Sequence, residues 1–231
     1  MVRRYDLIFA QAHSRAEAIS EKIGPKCYVF HKRYINRRIT MVENLFNFCK
    51  DTLGLARVFK DNGIQIPEGV TKRRYKNRVI LHPTSKDPLK NWSREKFMSL
   101  AKKLQRRGYV VSFIMSPEER LSWNNVIKSS FEVPYFHNLD MLARYVCESG
   151  WMIGTDSAVG HLANCIGIPT LTIFSRKGTA LYWRPGWNEG IAIYPKLMIP
   201  GKLGHRYWNA FLSTKMVIKA FLRLQDKVNK I

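Results

Sequence analysis

The sequence predicts an α/β protein whose larger part is a parallel sheet wound by helices on both faces. Three observations carry that prediction. From Val79 to Phe174, short apolar runs alternate with amphipathic stretches, the pattern of strands joined by crossover helices. Trp151-Met152-Ile153 leads through Gly154-Thr155-Asp156-Ser157 into a helix-like run and then into Leu171 to Phe174, a strand–turn–helix–strand unit. Hydrophobic residues make up 45% and aromatic residues 12% of 231 positions, enough to bury a substantial core.

Taken in order, Tyr5 to Ala10 reads as a buried strand and Ala16 to Ile23 as a short helix stopped by Gly24-Pro25. Cys27 to Phe30 is a second strand. Thr40 to Leu53 carries Val42, Leu45, Phe46, Phe48, Cys49 and Leu53 at helical spacing, with Gly54 ending it. An irregular stretch with Gly63, Pro67 and Gly69 then runs into the basic segment Lys72 to Arg78. This organisation predicts a partial N-terminal α/β domain over 1–71, a basic linker over 72–78 and a Rossmann-like domain over 79–231.

Within the second domain, Val79 to Leu81 is a strand and His82 to Trp92 a polar loop with two prolines. Ser93 is the expected N-cap of a helix through Arg107, with Phe97, Leu100, Ala101 and Leu104 on one face and Gly108 closing it. Tyr109 to Met115 is β-branched and aromatic, hence a strand. Pro117 to about Ser129 and Leu139 to Cys147 read as helices. Val217, Phe221, Leu224 and Val228 form one stripe of a last helix, Thr214 to Val228.

Thirty-nine Lys and Arg against seventeen Asp and Glu give a net charge of +22. That excess favours a polyanionic partner: nucleic acid, an anionic membrane surface or a phosphorylated glycolipid. It is also what a uniformly basic proteome would produce. No apolar run is long enough to span a bilayer, and Met-Val-Arg-Arg-Tyr-Asp does not resemble a secretory leader. Cys27, Cys49, Cys147 and Cys165 form no CxxC pair, so they fit free thiols in a reducing compartment better than a disulfide frame or zinc site. The expected location is cytoplasmic.

In open α/β sheets, ligands bind beyond the carboxyl ends of the strands. Three loops fall there: His82 to Trp92, Ser116 to Arg120 and Gly154 to His161. They supply hydroxyls, a lysine, a carboxylate and a helix N-terminus, the set a nucleoside diphosphate needs. Each residue also has a plainer reading. Asp156 and Ser157 suit helix capping as well as ligand binding. His161, a full turn into its helix, and His82, before a proline, suit structural roles. Glu119 suits the first turn of its own helix. Trp92, Trp183 and Trp187 suit a core or domain interface. Lys72 to Arg78 suits a solvated charge run, or, with Lys32, Arg33, Arg37 and Arg38, a face toward anionic lipid.

The run Gly154-Thr155-Asp156-Ser157…His161-Leu162-Ala163…Gly167-Ile168-Pro169…Phe174, then Trp183-Arg184-Pro185, resembles the C-terminal half of bacterial heptosyltransferases, glycosyltransferase family nine. Lys90-Asn91-Trp92 resembles the Lys-x-Trp element of the same family. The resemblance covers about Val79 to Trp187. It implies a two-domain GT-B fold with an ADP-sugar held mainly by the C-terminal domain. It also implies inverting transfer of heptose or a related sugar to the inner core of lipopolysaccharide, with no cofactor or metal.

Position by position, the resemblance implies that Thr84 and Ser85 meet phosphate or sugar oxygens and that Lys90 neutralises the diphosphate. Glu119, or its neighbour Glu118, would approach the ribose. Asp156 would contact the transferred sugar. Thr155, Ser157 and Ala158 would hold the diphosphate at the helix start, with His161 one turn on. The family usually has glycine where Ala158 stands.

Tyr5 to Ile8 resembles a mid-domain strand of the family's first half. The family's opening strand, with its proposed catalytic aspartate, has no counterpart in this sequence. His13 or Glu17 would then be the candidates to take the acceptor proton. The expected partners are a nucleotide-sugar donor, an anionic lipopolysaccharide precursor and a peripheral contact with the inner membrane. Two alternatives stand beside the transferase: a relative that binds nucleotide sugar or anionic glycolipid without turnover, and a basic nucleic-acid-binding module. No nucleic-acid-binding signature supports the last.

Overall fold

A computed structural model describes residues 8–11, 18, 22, 27–30, 32–127, 131–197, 204 and 206–230. The chain divides into two compact units, 1–60 and 61–231.

In the first unit, β1 (Ile8–Gln11) and β2 (Cys27–Phe30) pair in parallel, with Ile8 opposite Cys27 and Gln11 opposite Phe30. Both strands were expected. The helix expected between them and residues 5–7 fall outside the described residues, apart from positions 18 and 22. Thr40 caps α1 (Met41–Asn47) through a complete capping box with Glu43. A π-helical turn over Phe48–Thr52 follows, and Gly54 at φ 64° turns the chain away. Phe48 packs edge-on against Phe30 and Tyr34, at ring-centroid distances of 5.1 and 4.9 Å.

The second unit is a five-stranded all-parallel sheet formed by β3 (Tyr75–His82), β4 (Val110–Phe113), β5 (Ser149–Thr155), β6 (Thr170–Ile173) and β7 (Gly190–Ile193). The spatial order is β4-β3-β5-β6-β7. Five α-helices accompany the strands: α2 (Arg94–Gln105), α3 (Pro117–Ile127), α4 (Leu139–Glu148), α5 (Ala158–Cys165) and α6 (Lys177–Trp183), with α7 (Thr214–Val228) closing the unit.

Alternation along the strands divides the core. Val79, Leu81, Val111, Phe113, Trp151 and Ile153 pack with Phe97 and Leu100 of α2, Trp123 of α3 and Phe221 and Leu224 of α7. Ile80 and Met152 point the other way, onto Val146 and Cys147 of α4 and Ala163 of α5. Each face thus receives every second side chain, as a doubly wound sheet requires.

Two features differ from the sequence expectation. The segment expected as a linker over 72–78 is ordered: Tyr75 to Arg78 are the first half of β3, and the compact unit begins at Asp61. That half of the strand is exposed, so it lacks the apolar signature of its continuation Val79–His82. Of the five charges over 72–78, Arg73 and Arg78 are half-buried against aromatic rings, while Lys72, Arg74 and Lys76 stay exposed. The Arg73 guanidinium lies 4.8 Å over the Trp151 ring, and Arg78 lies between the rings of Tyr75 and Tyr145 at 4.0 and 4.3 Å. The second difference is β7, a four-residue edge strand that the sequence reading left unassigned, together with α6 before it. Asn164 ties this region in place. Its side chain accepts from the Trp187 and Asn188 N–H groups and donates to the Asn188 and Glu189 carbonyls.

Candidate active site

Strand order reverses at β3. The chain goes from β3 outward to β4 and then returns to β5 on the other side of β3. The loops after β3 and β5 therefore leave the sheet side by side and diverge, which opens a crevice at their carboxyl ends. His82 ends β3 directly opposite Gly154 near the end of β5. A side chain at Gly154 would place its Cβ 2.7 Å from the His82 carbonyl oxygen. Glycine is thus required for the two strands to approach so closely.

The crevice holds a cleft of about 620 Å³ lined by His82, Ser85, Lys86, Asp87, Lys90, Glu119, Asp156, Ser157, Ala158 and Val159. Ser157 is the N-cap of α5, with its hydroxyl facing the Gly160 N–H. The first N–H groups of a helix have no intrahelical acceptor. With the macrodipole they make this end of α5 electropositive. The Lys90 ammonium stands 3.5 Å from the Asp156 carboxylate, and His161 Nε2 lies 3.9 Å from the other Asp156 oxygen. Asp156 is mostly buried between these two groups; Lys90 is partly open to the cleft, and His161 is partly exposed but lies beside Asp156, outside the cleft lining. Burial pushes the His161 imidazole below its ordinary pKa, and Asp156 opposes that shift. The His161 ring meets the exposed Trp183 ring at 6.1 Å.

Lys90, Asp156, Ser157, Ala158, Ser85 and Glu119 are therefore brought together as the sequence suggested. Ala158 begins α5 with no left-handed backbone; among the described residues only Arg73 has a positive φ without being glycine. Its methyl group is exposed at the cleft wall. Glu119, not Glu118, faces the cleft. Glu119 also accepts from the Ser116 N–H at 2.8 Å, closing a capping box at the start of α3, while Glu118 is exposed and bonds the Ser116 hydroxyl. Glu119 thus caps its own helix and lines the cleft at the same time.

Two expected contacts are placed differently. Thr155 is fully buried, and its hydroxyl donates to the Thr84 carbonyl at 2.7 Å. It locks the two loops together rather than facing a ligand. Thr84 is also buried and borders a neighbouring hollow of about 220 Å³ with Trp92 and Trp123. Both residues point inward because they lie at strand ends where the loops are still packed. Trp92 is a core residue, donating to the Leu212 carbonyl at 3.1 Å. His13 and Glu17 lie outside the described residues.

The sequence reading left out His82 and Lys86 as cleft residues. His82 is nearly inaccessible, and its Nδ1 donates to the Ile114 carbonyl at 2.7 Å. The neutral ring's other nitrogen is then an acceptor. Burial holds its pKa below the usual value, against that hydrogen bond and Glu119. His82, Glu119 and Val159 also border an apolar hollow of about 300 Å³ formed with Ile114, Met115, Tyr135, Phe136 and Leu142. A polar cleft and an apolar slot thus share a boundary. A His-Pro pair after a strand was the only local signal for it.

The model of glycosyltransferase family 9 (heptosyltransferase) matches residues 28–193, from β2 through β7. The chain belongs to glycosyltransferase family 9. Lipopolysaccharide heptosyltransferase 3 of Escherichia coli K12 is 29% identical over 120 residues, which cover 49% of this chain and 34% of that protein. The chain thus spans about a third of the curated relative it matches. A family 9 glycosyltransferase from Veillonella parvula superposes with a TM-score of 0.71 at 18% identity, over 96% of this chain and 67% of that one. E. coli heptosyltransferase WaaC, solved with ADP-2-deoxy-2-fluoro heptose, superposes at 0.57 and 16% identity, over 78% and 54%. These structural likenesses establish the α/β fold with its parallel central sheet.

Proposed function

We propose that this family 9 chain binds an ADP-sugar of the ADP-heptose kind and supplies the donor half of an inverting transfer to a lipopolysaccharide precursor. The observation that carries the reading is one cleft in which the Lys90 ammonium, the start of α5 and Asp156 converge. A diphosphate set at the helix start meets the helix's first N–H groups and the Lys90 ammonium. The nucleoside fits the adjoining apolar slot, with Glu119 at its border as an acceptor for ribose hydroxyls. The sugar then lies toward Asp156 and His161, whose uncharged ring serves as a hydrogen-bonding partner.

In the transfer, an acceptor oxygen attacks the anomeric carbon as the bond to the β-phosphate breaks. The electron pair leaves with ADP, and the acceptor proton passes to a base. Negative charge grows on the β-phosphate in the transition state, so a cation fixed there accelerates the step more than it tightens ground-state binding. Lys90 is that cation. Its pairing with Asp156 holds the ammonium in the cleft before donor arrives. The relative solved with an ADP-heptose analogue supports this choice of donor.

Calorimetry with ADP, UDP and GDP tests the reading. ADP is expected to bind at least tenfold more tightly than the other two. No measurable affinity for ADP, or equal affinity for all three, would remove the donor assignment.

A further inference from the structure

A second hollow, of about 590 Å³, lies between α2 and α3 and shares no lining residue with the cleft. Its floor is Met98, Val126, Ile127 and Phe131, and its wall carries Lys102 and Lys103 from the last turn of α2 and Arg106 from its C-cap. The two sides differ in what they can hold. The aliphatic and thioether floor suits hydrocarbon, and the three cations suit phosphate. No acidic side chain of the described residues lies within ion-pair distance of these three cations; Glu95, on the same wall, is engaged with the Ser93 hydroxyl.

The excess charge extends beyond the groove. Helix α7 packs against α2 in the same layer. Together 94–107 and 214–230 contain eleven Lys and Arg and two acidic residues. Lys215, Lys219 and Arg223 stand exposed along α7, with Leu222 among them.

We infer that this face docks on an anionic phospholipid surface, with headgroup phosphates on Lys102, Lys103 and Arg106 and lipid hydrocarbon against the Met98–Phe131 floor. Charge complementarity selects an anionic partner. The floor favours a bilayer over nucleic acid, because it offers no exposed aromatic ring on which a base can stack. Within the other basic segment, Lys72 to Arg78, the Arg73 and Arg78 guanidinium groups are already stacked on Trp151, Tyr75 and Tyr145.

The test is sedimentation of the full chain with vesicles, one set containing phosphatidylglycerol in phosphatidylcholine and the other phosphatidylcholine alone. Wild-type protein is expected on the anionic vesicles only. A basic residue near an anionic surface is worth on the order of fivefold in affinity, so K102Q/K103Q/R106Q should bind about a hundredfold more weakly. All three positions are solvent-facing, and ADP affinity, which reads the separate cleft, checks that each variant is folded. The control K76Q/K177Q/K196Q removes the same charge from elsewhere and should lose far less.

Met98→Gln, which keeps the charges and makes the floor polar, should weaken binding severalfold. Absence of wild-type binding to anionic vesicles would overturn the inference. So would equal loss in the control, or an unchanged K102Q/K103Q/R106Q. A triple variant that loses affinity for a single-stranded RNA oligonucleotide but not for vesicles would overturn it in favour of nucleic acid.

Discussion

Replacing Lys90 by Ala removes one ammonium from the cleft and leaves the rest of the loop standing, since Ser85, Asp87 and Asn91 hold that loop through their own hydrogen bonds. At about 4 Å and an effective dielectric of about 20, an ammonium and a phosphate oxygen attract by roughly 4 kcal/mol. Two features of the site reduce that figure. The Lys90 side chain is 37% exposed, so water competes for it, and Asp156 at 3.5 Å already takes part of its field. About 2 kcal/mol remains, the usual size for a hydrogen bond to a charged group. That corresponds to about thirtyfold weaker ADP binding.

Titration calorimetry with ADP and with adenosine separates the charge term from the nucleoside. The K90A variant should lose affinity for ADP and keep it for adenosine. The ADP gap should narrow as salt rises, because a half-exposed cation is screened. ADP affinity within twofold of wild type, at low salt and in a folded variant, would refute the placement of the diphosphate beside Lys90.

Two further predictions concern how the cleft is held together. Gly154→Ala forces a methyl group to 2.7 Å from the His82 carbonyl oxygen. Overpacking of a rigid backbone costs about 2–3 kcal/mol, so thermal unfolding should occur about 5–10 °C lower; an unchanged melting temperature would show that the β3–β5 junction yields easily. The second prediction is a pH dependence. The His82 pKa in the folded chain lies below its ordinary value of 6.5 because the ring is buried. The unfolded chain therefore takes up a proton first as pH falls. The stability owed to neutral His82 is present above about pH 6.5 and is lost as pH drops through the depressed native value. Urea midpoints measured between about pH 7.5 and 5 should fall less steeply in His82→Gln than in wild type. Parallel slopes would place the acid sensitivity elsewhere.

The convergence of three loops depends on the connectivity of the sheet. Had β5 joined the sheet beyond β4, the loop after β3 would lie under a crossover and Lys90 would face away from α5. The observed order β4-β3-β5 brings Thr84 and Thr155 within one hydrogen bond of each other and leaves the space above them open. Asn164 performs a similar task on the far side, holding the turn before β7 by four hydrogen bonds.

Much of this was legible from local chemistry. Ser93, Ser157 and Thr40 cap helices because a hydroxyl before an amphipathic run has few better uses. The buried strands announced themselves because residues covered on both faces must be apolar. The exposed half of β3 and the edge strand β7 did not, since partial solvation erases that signature. Side-chain direction was the part that required the tertiary structure. Thr84, Thr155 and His82 sit in loops or strand ends, and Glu119 in the first turn of a helix, positions that a one-dimensional pattern marks as ligand-facing or structural without distinction. Packing turns the two threonines into the interior, gives His82 a backbone partner and leaves Glu119 on the boundary of three hollows. Spacing along a chain reports which residues share an element. Which way a side chain points from a strand end depends on the neighbours that arrive from far away in sequence.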